Sequence, residues 1–208
     1  VHHCAGAVPY GAGYFYFGSH FLPGTELNEF DVSFKTAAEV QDLLDQKVKS
    51  YAIAVEERNG GREKIDARSI GMKYKPGGTV QKLLSGQDRL LWFIPESSFE
   101  KTDLGFVLDE KLLEEQISGL DCMQNMSAPT DARILYKEGE GFILISEKEG
   151  SKVDLEQASE LIDTAIRRGE SSVDISGCYE EPKIRQADLE KKYETLKKFQ
   201  DVIITYDF

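Results

Sequence analysis

The chain has 208 residues, room for one large or two small domains, and a formal net charge of −12. With 40% hydrophobic and 30% charged residues it has the balance of a folded globular protein rather than a disordered one. An acidic chain with no clustered Lys/Arg patch excludes nucleic acid and an anionic bilayer surface as natural partners.

The N-terminus reads VHHC, then AGAVPYGAGYFYFG, apolar and aromatic but interrupted by Pro9 and several glycines. It is shorter than the ~20 residues a membrane-crossing helix needs. A tag remnant joined to the outer end of a removed membrane anchor, a first strand and an unstructured lead-in all fit it. Residues 1–24 are set apart on this reading as an N-terminal lead-in, a tag or anchor remnant.

Regular structure is expected from about Leu27. Thr36 followed three residues later by Glu39 is a helix-capping pair, and Val40, Leu43, Leu44 and Val48 recur at helical spacing. YAIAVEE (51–57) alternates with period two, NGG (59–61) is a turn, and REKIDA returns as the partner strand. A short helix is expected around 80–84. The stretch around Trp92, Phe93 and Phe99 carries no clear signal.

In the second half, DLGFVL (103–108) reads as a strand and Asp109 caps a helix bearing Leu112, Leu113, Ile117 and Leu120. ARILYK and GFILIS face each other as a hairpin across KEGEG. Asp154 and Gln157 make a second capping pair before an apolar stripe that ends at Gly169. SVDIS is a strand, Leu189, Tyr193, Leu196 and Phe199 mark a last helix, and VIITYDF (202–208) a last strand. The pattern predicts an α+β fold: antiparallel sheets with helices packed on one face, in two related small units over 25–100 and 101–208. The closing helix and strand echo the opening ones but lack the partner strand. Either the natural chain continues, or the last strand closes the second unit's sheet.

Catalytic chemistry is hard to place. The histidines His2, His3 and His20 all lie near the N-terminus, so no Ser-His-Asp or Cys-His set has a base in the core. Adjacent acids such as Glu56/Glu57, Glu114/Glu115 and Glu180/Glu181 diverge on a strand or helix and read as solvated faces. Asp174 reads as a strand-end residue. No glycine-rich loop has a nucleotide-binding spacing, and no cluster has metal-ligand spacing. The sequence therefore predicts no catalytic residue, no metal and no cofactor. Tyr74, Trp92, Phe93, Tyr136, Phe142 and Tyr179 lie near loops or strand ends, where rings stack on sugars, hold peptides or simply fill a core. Trp92, Tyr136 and Tyr179 are the candidate ligand-binding residues. Cys122 and Cys178 each follow the end of an element.

GTELNEFDVSFKTAAEV resembles the G-T-x-I-N-G-x-D-x-S-G-x-T-x-x-E-A opening of extracellular proteins of Gram-positive bacteria, which follows a membrane anchor. APTDARI, GFILISEKEG and DLEQASELIDTAIRRGESSVDISGCYEEPKI resemble the peptidoglycan-binding domain found ahead of the catalytic domain in L,D-transpeptidases and in VanW-like proteins. The resemblance covers 18–208 and is carried by P-x-D-A, E-x-E-G and Y-x-x-P. Both glycines of the opening motif are replaced here, by Glu29 and Phe34, so a less tight turn is expected.

The resemblance implies a non-catalytic, cell-surface module, membrane-anchored in the full-length protein. It implies peptidoglycan glycan strands or stem peptides as partners, and a downstream L,D-transpeptidase domain as another. Docking on a protein of cell-wall synthesis is the alternative. The family's S-H-G-C-[IV]-R motif does not occur in these residues. Cysteines at the two places held by Cys122 and Cys178 imply a disulfide between them, with a pair of buried thiols as the alternative.

Overall fold

Thr36 and Glu39 close the capping box that the sequence signals: the Thr36 hydroxyl accepts from the Glu39 N–H, and the Glu39 carboxylate accepts from the Thr36 N–H at 2.7 Å. Helix α2 (Ala37–Val48) follows and buries Val40 and Leu44. The computed structural model describes residues 7–94, 97–99 and 101–200. The strand expected over 202–208, His2, His3 and Cys4 lie outside them.

Two compact units emerge, along a different line from residue 100. The first comprises residues 1–120 and 156–176, the second 121–155 and 177–208. Strands on both sides of residue 100 share sheets, so these units cross the line expected between 25–100 and 101–208.

In the first unit, α1 (Ala7–Tyr16) is a helix, and Phe17, Phe21 and Leu22 after it are buried. Residues expected as a lead-in thus reach the core. Strands β1 (Thr25–Leu27) and β2 (Phe30–Asp31) form a tight hairpin, with Leu27 opposite Phe30. Asn28 in its turn takes a left-handed φ of 54°, a conformation Asn tolerates. Its side-chain amide donates to the carbonyls of Thr102 (2.9 Å) and Arg168 (2.6 Å), and its oxygen accepts from the Thr102 N–H. The second substituted glycine position, Phe34, sits at φ 61°, so the left-handed backbone persists with a side chain present.

After α2 come β3 (Ala52–Glu56) and β4 (Arg62–Asp66), the antiparallel pair read from the sequence. Strand β5 (Lys73–Tyr74) and helix α3 (Thr79–Gly86) follow, both against α2. Strand β6 (Ser97–Ser98) pairs parallel with β1, and β7 (Phe106–Val107), shorter than expected, pairs antiparallel with β5. Asp109 caps α4 (Glu110–Ser118) by accepting from the N–H groups of Lys111 and Leu112.

Helix α5 (Leu155–Arg167) ends as the sequence predicts. Gly169 has φ 67°, and the Glu170 N–H reaches back to the Ala165 carbonyl at 3.0 Å, a left-handed glycine cap. Strand β10 (Ser172–Asp174) then joins β3 in parallel, giving the order β10-β3-β4. This pairing explains why β3 buries Ile53, Ala54 and Val55 in succession: it is the central strand.

In the second unit, β8 (Arg133–Lys137) and β9 (Gly141–Ile145) form the expected hairpin, and α6 (Gln186–Gln200) lies against it. The whole is an α+β fold.

Candidate functional site

Because β3 and β10 run parallel, both leave their sheet at the same edge, with Glu56 beside Asp174 at the last register position. The chain beyond β3 turns through Arg58–Gly60, with Asn59 and Gly60 at left-handed φ values of 66° and 82°. The Glu57 N–H closes the turn on the Gly61 carbonyl at 2.8 Å. Beyond β10, the Ile175 N–H bonds the Glu56 carbonyl at 2.9 Å, which holds the two exits together. Between them lies an open cleft of about 350 Å³, lined among others by Glu56, Asn59, Arg62, Asp174 and Ser176. The carboxyl edge of parallel strands is where open α/β sheets bind ligands.

The cleft carries both signs of charge. The Asp174 carboxylate accepts from the Ser176 N–H at 2.8 Å. Hydrogen bonds from the Ser176 side chain and backbone hold its pKa below the ordinary carboxylate value. Arg62 lies 3.9 Å from the Glu56 carboxylate, both side chains well exposed. Such a pair contributes little and rearranges readily. Among the described residues, no aromatic ring lines the cleft. The arrangement can hold charged and hydrogen-bonding groups.

The aromatic residues singled out in the sequence lie elsewhere. Trp92 is in the first unit, half-buried, stacked on Phe17 (centroids 6.0 Å apart, planes at 23°). It packs so closely on Gly13 that a Cβ there would come within 2.5 Å of the indole. This is the core-filling arrangement. Tyr136 and Tyr179 belong to the second unit. Tyr136 is 66% exposed on β8, edge-on to Phe142 at 5.3 Å. Tyr179 is half-buried and bridges Val153.

An apolar hollow of about 240 Å³ in the first unit is lined by Leu22, Gln87, Leu91, Ile94 and Phe99, among others. The Gln87 amide donates to the Phe17 and His20 carbonyls and accepts from the Leu22 N–H, so it ties the chain together. His20 stacks on Tyr16 at 3.9 Å and bonds its carbonyl through Nδ1.

The motif segments of the second unit converge. Asp131 of P-x-D-A accepts from the N–H groups of Lys183 (2.6 Å) and Ile184 (3.2 Å), just past Y-x-x-P. Arg185 bonds Glu149 of E-x-E-G at 2.7 Å and Glu181 at 2.6 Å. The Glu149 hydrogen bond and charge raise the Arg185 pKa further. These charges are used within the fold. Cys122 and Cys178, the pair for which the resemblance implies a disulfide, both lie in the second unit, Cys122 half-buried and Cys178 buried, with no disulfide linking them in this structure.

Glu56, Arg62, Asp174 and Ser176 were not singled out as a site in the sequence. The only signal was the pair of strand ends, which nothing local connects.

A family model described as "Putative peptidoglycan binding domain" matches residues 63–174, from β4 to the last residue of β10. That is more than half of the chain, and the chain belongs to this family. No curated protein and no solved structure matches it. Among the described residues, no helix is long and apolar enough to cross a membrane.

Proposed function

We propose that the chain is a non-catalytic, extracellular module that binds peptidoglycan and positions a downstream cross-linking domain of the L,D-transpeptidase type. The family match carries the reading. The mixed-charge cleft supports it, because peptidoglycan presents hydroxyl, amide, carboxylate and amino groups to a binder. In the cleft the Ser176 hydroxyl bonds the Asp174 carboxylate, whose lowered pKa makes it a weak base for activating a nucleophile. Attachment to the membrane in the full-length protein belongs to the same proposal.

A second reading, docking on a protein of cell-wall synthesis, is favoured by one feature. Phe15 is 79% exposed, Leu90 53% and Phe93 58%. The two segments meet, since the Arg89 guanidinium lies 5.4 Å from the Tyr14 ring centroid. Co-sedimentation with purified peptidoglycan, together with incubation with disaccharide-tetrapeptide, tests the main reading. Saturable retention with unchanged muropeptides supports it. A new muropeptide product contradicts it, and absence of retention favours protein docking.

A further inference from the structure

We propose that the cleft at the carboxyl edge of β3 and β10 holds the charged stem peptide of peptidoglycan and not its glycan strand; this rests on the peptidoglycan-binding reading above.

Three observations carry the choice. The first is the sign of the charges. Glu56 and Asp174 present carboxylates and Arg62 a guanidinium within one hollow. A glycan strand has no cation to meet the acids, and any free carboxylate on it is repelled by them. A stem peptide has both signs, carboxylates along its length and an amino group where it contains a diamino acid. Such a segment matches both halves of the cleft, with its amino group toward Asp174 and Glu56 and a carboxylate toward Arg62.

The second is the lining. Sugar rings are held by aromatic faces, and among the described residues the cleft has none. It has instead Asn59, Ser176 and the turn backbone, which suit amide groups.

The third is readiness. The Ser176 hydrogen bonds lower the Asp174 pKa and so favour its carboxylate form, and the backbone bond also fixes its position. The Arg62–Glu56 pair at 3.9 Å is long and exposed, so a ligand carboxylate replaces Glu56 at Arg62 with little loss. The volume of about 350 Å³ is in the range of small-ligand sites.

The test uses the whole chain with two solids: purified peptidoglycan, and the same material stripped of stem peptides by an amidase. Free stem tetrapeptide serves as competitor. The variants are Arg62→Glu and Asp174→Asn, each checked for folding by circular dichroism. Arg62 is exposed, so its reversal leaves the fold intact even if Asp174→Asn does not. The expected result is retention on intact peptidoglycan, release by free tetrapeptide, and loss of about tenfold or more in affinity both for stripped glycan and for Arg62→Glu. Equal retention on stripped glycan overturns the stem-peptide assignment while leaving peptidoglycan binding in place. Folded Arg62→Glu protein that binds like the parent overturns the cleft as the site. No retention on either solid overturns the peptidoglycan reading itself.

Discussion

Val55 of β3 and Val173 of β10 are register partners in a parallel ladder, although more than half the chain separates them. The ladder makes β3 a central strand, brings Glu56 beside Asp174, and so creates the cleft. It depends on how the chain returns from α5. The Tyr51 hydroxyl donates to the Glu170 carbonyl at 2.7 Å, and the Ser171 N–H donates to the Glu29 carboxylate at 2.8 Å. These bonds deliver the chain to β10 in register.

Gly169 is the tightest point of that return. Its φ of 67° disfavours any side chain, and a Cβ would lie 2.8 Å from Phe106 and 2.9 Å from Phe30. Gly169→Ala therefore combines backbone strain with overpacking and is expected to cost about 2 kcal/mol or more. Urea denaturation measures this; an unchanged midpoint contradicts it.

Phe34 is the opposite case. It holds φ 61° with a side chain 52% exposed, and its ring lies 6.0 Å from Phe17. A non-glycine residue there carries about 1–2 kcal/mol of backbone strain. Glycine removes the strain but adds unfolded-state entropy and loses a partly exposed ring contact. Phe34→Gly is expected to raise stability by about 0.5 kcal/mol, read from the same denaturation curves. A clear loss of stability would show that the ring contributes more than the backbone strain costs.

Where the signal is local, sequence and structure agree. The Thr36/Glu39 box, the Asp109 cap, the Gly169 stop and the 133–145 hairpin each depend on residues a few positions apart. What was not legible depends on distant partners. Nothing near Val173 says that it pairs parallel with Val55, so the sequence alone shows neither the sheet that crosses residue 100 nor the neighbour of Asp174. Pro9 and several glycines interrupt the N-terminal stretch, yet Ala7–Tyr16 is a helix. For the same reason the aromatic residues drew attention: a ring is visible in sequence, whereas a cleft between two strand ends is not.

The two thiols differ in access. Cys178 is 2% exposed and Cys122 half-buried. Iodoacetamide is expected to modify Cys122 in the native protein and Cys178 only on unfolding, as peptide mapping would show. A linked pair of peptides carrying Cys122 and Cys178 after non-reducing digestion would restore the disulfide that the family resemblance implies.

Asp174 gives a pH signature. Its pKa is lowered in the folded protein by Ser176. The stabilisation is thus fully present above the unfolded value, about 4, and is lost as pH falls through the lowered folded value. The Asp174 carboxyl followed by NMR is expected to titrate below that ordinary value, and retention on peptidoglycan through it to persist down to about pH 4. Titration at or above the ordinary value would mean that the Ser176 bonds do not form.

On the function proposed above, the chain holds peptidoglycan without altering it. Co-sedimentation of the purified chain with increasing amounts of peptidoglycan is its most direct measurement. The bound fraction is expected to rise to saturation and to fall with added salt because the contacts are charged, with the muropeptide profile unchanged. A chain that stays in the supernatant at every concentration would contradict it.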